Sequence, residues 1–89
     1  MKKCVMIIIE GKVQGVGFRY SALKKANEMG IKGFVRNKED GSVYLEIEGE
    51  PELIEQFTEW CWRGPSWALV EKVNCQTIPH ANFTSFVIR

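Results

Sequence analysis

The stretch Lys3-Cys-Val-Met-Ile-Ile-Ile-Glu-Gly-Lys-Val-Gln-Gly-Val-Gly-Phe-Arg-Tyr-Ser-Ala-Leu-Lys-Lys-Ala-Asn-Glu-Met-Gly30 changes its hydrophobic period part-way along. Residues 3–10 read as a strand. Ile7 and Ile9 face one way and Met6 and Ile8 the other, so both faces are expected to be covered near its centre. A loop with three glycines follows, from Gly11 to Gly17. From Phe18 the spacing becomes helical. Phe18, Ala22 and Ala26 recur at i, i+4 and i+8, with Leu23 and Met29 beside them, which makes one apolar stripe. Gly30 suits the left-handed position that ends a helix.

Outward from this unit, residues 31–38 and 42–48 read as a β-hairpin. Asp40-Gly41 supplies the turn, because glycine accepts positive φ. Val43, Leu45 and Ile47 alternate with Tyr44, Glu46 and Glu48, the pattern of a strand with one wet face. Pro51 suits the first turn of a second helix, and Glu50, Glu52 and Glu55 favour its positive end. Leu53, Ile54, Phe57, Trp60 and Cys61 form its buried stripe, and Gly64-Pro65 stops it. Residues 69–77 and 83–89 read as two final strands, the last one short. The order is β-α-β-β-α-β, with a short last strand. Each helix must bury its stripe against the sheet. The expected fold is therefore α+β, a ferredoxin-like sandwich with both helices on one face of a mainly antiparallel sheet of four to five strands. That fold hosts many functions and decides none.

The chain has 89 residues, 45% apolar and 26% charged. Residues 1–89 read as a single domain, and the composition excludes disorder. No run approaches the roughly 18 apolar residues of a membrane span. Met1-Lys2-Lys3 is basic, but the apolar stretch behind it is too short for a signal peptide and Glu10 ends it. A cytoplasmic protein without membrane contact is expected. Cys4, Cys61 and Cys75 are odd in number and lack CxxC spacing, and His80 is the only histidine. No metal-ligand set is visible, and the cysteines read as buried or half-buried thiols in a reducing compartment. The net charge of +1 conceals an asymmetry. Residues 1–38 carry nine Lys or Arg against Glu10 and Glu28, a net of +7, and residues 39–89 a net of −6. The balanced total argues against tight nucleic-acid binding, while the basic first half could attract a small anion. Two ordinary solvated faces would satisfy the same charges.

The loop before the first helix carries the most chemistry. Gly15 and Gly17 let the backbone turn sharply and approach a ligand. The first N–H groups of a helix lack internal partners, and with the helix dipole they form an anion site. Arg19 stands in the first helical turn, where a cation is unfavourable unless an anion binds. Its planar fork matches two phosphate oxygens. A structural glycine turn accounts for the same glycines. The G-x-G-x-x-G and G-x-x-x-x-G-K-[ST] patterns of nucleotide-binding loops are absent. Asn37, by its residue type, fits the start of a turn.

Gly11-Lys-Val-Gln-Gly-Val-Gly-Phe-Arg19 resembles the signature of the acylphosphatases. Gly33-Phe-Val-Arg-Asn37, whose Asn37 lies eighteen residues after Arg19, with Asp40-Gly-Ser-Val43 resembles their second signature. The tail from Gly64-Pro65 through Val70 to Phe83-x-x-Phe86-x-Ile88-Arg89 is similar too, so the resemblance covers essentially the whole chain. It implies the same sandwich fold and metal-free, cofactor-free hydrolysis of acyl phosphates to carboxylate and phosphate. It also implies that Arg19 and Asn37 are catalytic and that Gly15, Val16, Gly17, Phe18 and Arg19 cradle the phosphate. Many members have Arg where Lys12 stands and Trp where Phe34 stands. Trp67 replaces a residue that is often small or polar, and if it borders the site it would alter acyl-chain preference.

The expected partners are a small-molecule acyl phosphate and inorganic phosphate as product and competitor, bound by a monomer. Acyl phosphates are activated, and their carboxylate leaves without a proton donor. That fits a motif with no acid–base constellation around it. The rival reading is a non-catalytic phosphate-binding module on the same fold. An RNA-binding sheet shares the topology, but Arg36-Asn37 stand where its small and aromatic residues belong. Carbamoyl-phosphate domains of maturation enzymes lie in longer chains with zinc-type CxxC pairs, so a free-standing hydrolase is expected.

Overall fold

In the computed structural model, which describes residues 1–89, five strands form one sheet in the order β4-β1-β3-β2-β5. The strands are β1 (Lys3–Lys12), β2 (Lys32–Asn37), β3 (Val43–Gly49), β4 (Leu69–Thr77) and β5 (Phe86–Ile88). The helices are α1 (Phe18–Met29) and α2 (Pro51–Arg63). β3 pairs antiparallel with β1 and β2, and β4 pairs antiparallel with β1. Only β5 runs parallel to its neighbour, β2, with Gly33 opposite Phe86 and Val35 opposite Ile88. The α+β sandwich expected from the element order is the one observed.

Both helices lie on one face. Phe18, Ala22 and Ala26 of α1 and Ile54, Phe57 and Cys61 of α2 are buried with Val5, Ile7, Ile9, Val35, Val43, Leu45 and Ile47 of the sheet in one apolar cluster. Burying a side chain of Ile, Leu or Phe size contributes about 1.5–3 kcal/mol, so this cluster is the principal source of cohesion. Pro51 stands in the first turn of α2, where its missing N–H costs nothing. Gly30 closes α1 in the left-handed conformation, and the Ile31 N–H reaches back 2.9 Å to the Ala26 carbonyl.

The opposite face of the sheet departs from its expected pattern. Met6 and Ile8 are half-buried rather than covered, because no helix crosses that side. Glu48, expected on a wet face, is buried at 4% exposure. The segment before β5 folds back over it, so that His80 Nδ1 lies 2.9 Å from Glu48 Oε2 and the Phe83 N–H donates to Oε1 at 2.9 Å. On the same face Phe34 packs against Tyr44 and Phe83, with the Arg89 guanidinium 4.0 Å above its ring. The last strand is shorter than expected, because residues 83–85 make this crossing instead of extending β5. No helix is long and apolar enough to cross a membrane.

Candidate active site

Helix α1 starts without a cap. Gly17 at the N-cap has φ 80°, no side chain bonds the first turn, and no acidic residue lies in it. The first α-helical bond runs from the Ser21 N–H to the Gly17 carbonyl, 3.0 Å, so the N–H groups before it have no partner inside the helix. Gly15 has φ 73° and Gly17 φ 80°, whereas φ of Val16 between them is not positive. Such alternation turns successive N–H groups towards one concavity. A Cβ at Gly15 or Gly17 would touch nothing within 4 Å, so it is the dihedral angle and not space that calls for glycine.

Phe18 fixes this loop to the core. Its ring is buried and packs against Trp60 at 5.5 Å between centroids. Gly64 passes so close beneath Phe18 that an added Cβ there would overlap the ring. Phe18 therefore gives its side chain to packing and only its backbone to the loop. Val16, half-buried against the core, does the same.

Asn37 arrives from β2. It pairs with Val43 and shares the helix-side face with Val35, which brings it beneath the loop. Its carboxamide oxygen is buried and has no hydrogen-bond partner, the only buried side-chain polar atom of the molecule so placed. Native proteins rarely leave such a group unsatisfied, and functional sites are where the exceptions belong. Gly15, Gly17, Phe18, Arg19, Tyr20, Asn37 and Ile88 together line a depression of about 250 Å³. Arg19 is exposed and forms no ion pair. A larger depression of about 430 Å³ between α1 and α2 includes Lys25, Glu59, Trp62 and Arg63 but has no glycine loop or unpartnered amide.

The two motifs are tied together by Gln14, whose Nε2 donates to the Lys38 carbonyl at 2.7 Å and the Ser42 carbonyl at 2.9 Å. Within the turn, Asp40 Oδ1 accepts from the Ser42 hydroxyl at 2.6 Å and its N–H at 2.9 Å. The Ser42 hydroxyl bond is the main cause that holds the Asp40 carboxyl below its ordinary value.

Gln14, Tyr20 and Ile88 were not among the residues expected at the site. Gln14 lies inside the first motif, and its amide was the available signal. Tyr20 follows Arg19 directly. Ile88 reaches the site only through the parallel β2–β5 pairing, which no local pattern announces. Neither Phe34 nor Trp67 lines the depression. Phe34 is on the other face of the sheet, and Trp67 is exposed in the α2–β4 connection. Cys4 and Cys61 are buried, and burial pushes both thiols up. Cys75, expected to be at least half-buried, is exposed because β4 is an edge strand. No three His, Cys, Asp or Glu side chains come together in a way that could hold a metal ion.

A model of the acylphosphatase family matches residues 5–88. The chain belongs to the acylphosphatase family. Among its relatives, an acylphosphatase of Nitrosococcus oceani is 42% identical over 89 residues, covering all of both chains. The solved acylphosphatase of Coxiella burnetii superposes with a TM-score of 0.96 at 41% identity, over 99% of this chain and 93% of that one. The Bacillus subtilis acylphosphatase gives a TM-score of 0.95 at 30% identity, over 100% and 99%. The matched span includes the glycine loop, Arg19, Asn37 and Ile88, so every element that forms the depression lies within the acylphosphatase region.

Proposed function

We propose that the protein hydrolyses acyl phosphates to a carboxylate and inorganic phosphate at the depression between the 15–19 loop and Asn37. The observation that carries this reading is the buried, unpartnered carboxamide oxygen of Asn37, in the same depression as an arginine without an ion-pair partner. The backbone N–H groups of Gly15 to Arg19 and the Arg19 guanidinium hold the phosphoryl oxygens. Phosphoryl transfer needs mainly positioning and charge stabilisation, which these groups supply. The Asn37 oxygen accepts a hydrogen bond from a water and aims its lone pair at phosphorus, opposite the acyl oxygen. As the water oxygen bonds to phosphorus, the phosphorus–acyl oxygen bond breaks and the carboxylate leaves with the electron pair. The water proton passes to the transferred phosphate. No cofactor takes part.

Inorganic phosphate occupies the same cradle and competes with substrate. The protein acts as a monomer. Its three free thiols suit the reducing cytoplasm.

The test is hydrolysis of benzoyl phosphate in EDTA by the wild type, Arg19→Ala and Asn37→Ala. The expected result is turnover by the wild type. Asn37→Ala should lose roughly 10²–10³-fold in kcat, as for one preorganised polar group. Arg19→Ala should lose kcat and also bind phosphate poorly. A folded wild type that binds phosphate without turnover would overturn the reading in favour of an anion-binding module.

A further inference from the structure

The chemistry above uses the loop, Arg19 and Asn37, and leaves two large side chains of the same depression without a role. Tyr20 is 69% exposed and Ile88 is 40% exposed, although both border the site. Scattered exposed apolar residues are ordinary. These two come from distant parts of the chain, one from the first turn of α1 and one from β5, and meet at the same depression. The parallel pairing that brings Ile88 opposite Val35 is held by the Arg89 N–H, 2.9 Å from the Val35 carbonyl.

The charges around the site are as informative. Arg19 is the only charged residue lining the depression. Once it binds the phosphoryl group, no second cation of the lining is left for a substrate with another anionic group. The unused wall is an aromatic ring and a branched alkyl chain. Small-molecule sites combine apolar walls, which bury the ligand's surface, with a few convergent polar groups that orient it.

The geometry points to Tyr20 and Ile88 as the determinants of acyl-group specificity, which rests on the acyl phosphate reading above. They form an apolar mouth that favours neutral acyl groups with a ring or branched chain over acetyl and over acyl groups with a second carboxylate. Benzoyl phosphate can lay its ring against them, whereas the single methyl of acetyl phosphate makes little contact.

The test compares kcat/KM for benzoyl, acetyl and succinyl phosphate in the wild type, Tyr20→Ala and Ile88→Thr. Tyr20 is on the helix surface, and threonine keeps the β-branch of residue 88, so both variants should fold. The wild type should prefer benzoyl phosphate to the other two. The benzoyl-to-acetyl ratio should fall about 10-fold in each variant, the low end of what one small apolar contact contributes to discrimination in a pocket. A ratio unchanged in both variants, or a wild type that prefers succinyl phosphate, would overturn the specificity assignment and leave the hydrolase reading intact. A folded wild type that hydrolyses none of the three would overturn the hydrolase reading itself and this assignment with it.

Discussion

The Gln14 side chain donates 2.7 Å to the Lys38 carbonyl, across 24 positions of sequence. Its second bond, 2.9 Å to the Ser42 carbonyl, anchors the other side of the same turn. One amide thus fixes the distance between the glycine loop and the end of the strand that bears Asn37. Gln14 touches the two motifs and does not line the depression, so the role expected of it is to position them.

Gln14→Ala removes both donors and leaves two half-buried carbonyls with one partner fewer. The expected cost is about 1–2 kcal/mol in urea unfolding. Turnover should fall about 10-fold, through kcat more than KM, because the water and the phosphoryl group lose their alignment. Gln14→Glu keeps the length but presents acceptors to acceptors, and should do at least as much damage. Unchanged kcat in Gln14→Ala would refute the positioning role.

Asn37→Ala should separate activity from stability. The Asn37 side chain makes no hydrogen bond, and its buried oxygen is unsatisfied. Removing it abolishes an existing desolvation penalty and breaks no partner. Stability is expected to remain within about 0.5 kcal/mol of the wild type or to rise, the behaviour of a substitution that breaks nothing. Urea unfolding checks this, and a loss above about 2 kcal/mol would mean that the carboxamide supports the fold.

Arg19 sets the same opposition more sharply. Its charge lies at the positive end of an uncapped helix that has no acidic residue in the first turn. Arg19→Ala should therefore raise stability by about 0.3–1 kcal/mol at low salt. Saturating phosphate should reverse the order. The wild type gains about 2.7 kcal/mol at 100 times its Kd, whereas the variant gains little. Thermal unfolding with and without phosphate reads both effects. Equal stabilisation of the two proteins by phosphate would place the anion elsewhere.

Much of this molecule was legible because its local signals agree. The change of period at Phe18, the left-handed Gly30 and Gly41, and Pro51 all describe single elements, and each lies where the pattern put it. The glycine loop and Asn37 were legible as motifs. What was not legible depends on neighbours. Alternation in β3 predicts which way Glu48 points but not that residues 79–83 cover it. Seven residues of tail pattern cannot reveal that β5 runs parallel to β2, yet that pairing carries Ile88 to the site. The exposure of Cys75 follows from β4 being an edge strand, a property of sheet order and not of residue spacing.

The Glu48 clamp gives the fold a pH dependence with a defined sign. Burial pushes the Glu48 carboxyl up, but the bonds from His80 and the Phe83 N–H outweigh it and leave the group below its ordinary value. The native state then holds this proton less readily than the unfolded chain. The stabilisation is full above the ordinary glutamate value of about 4.3. It is lost as pH falls through the lower value in the fold. Glu48→Gln removes the titration but keeps the shape. Asp40, also held low, behaves alike in both proteins and cancels from their difference. In urea unfolding between about pH 5.5 and pH 2.5, a window spanning the ordinary carboxylate range, the wild type should start the more stable and converge on Glu48→Gln as acid is added. A difference that widens in acid would reverse the sign and show that burial, not the His80 and Phe83 bonds, dominates the Glu48 carboxyl.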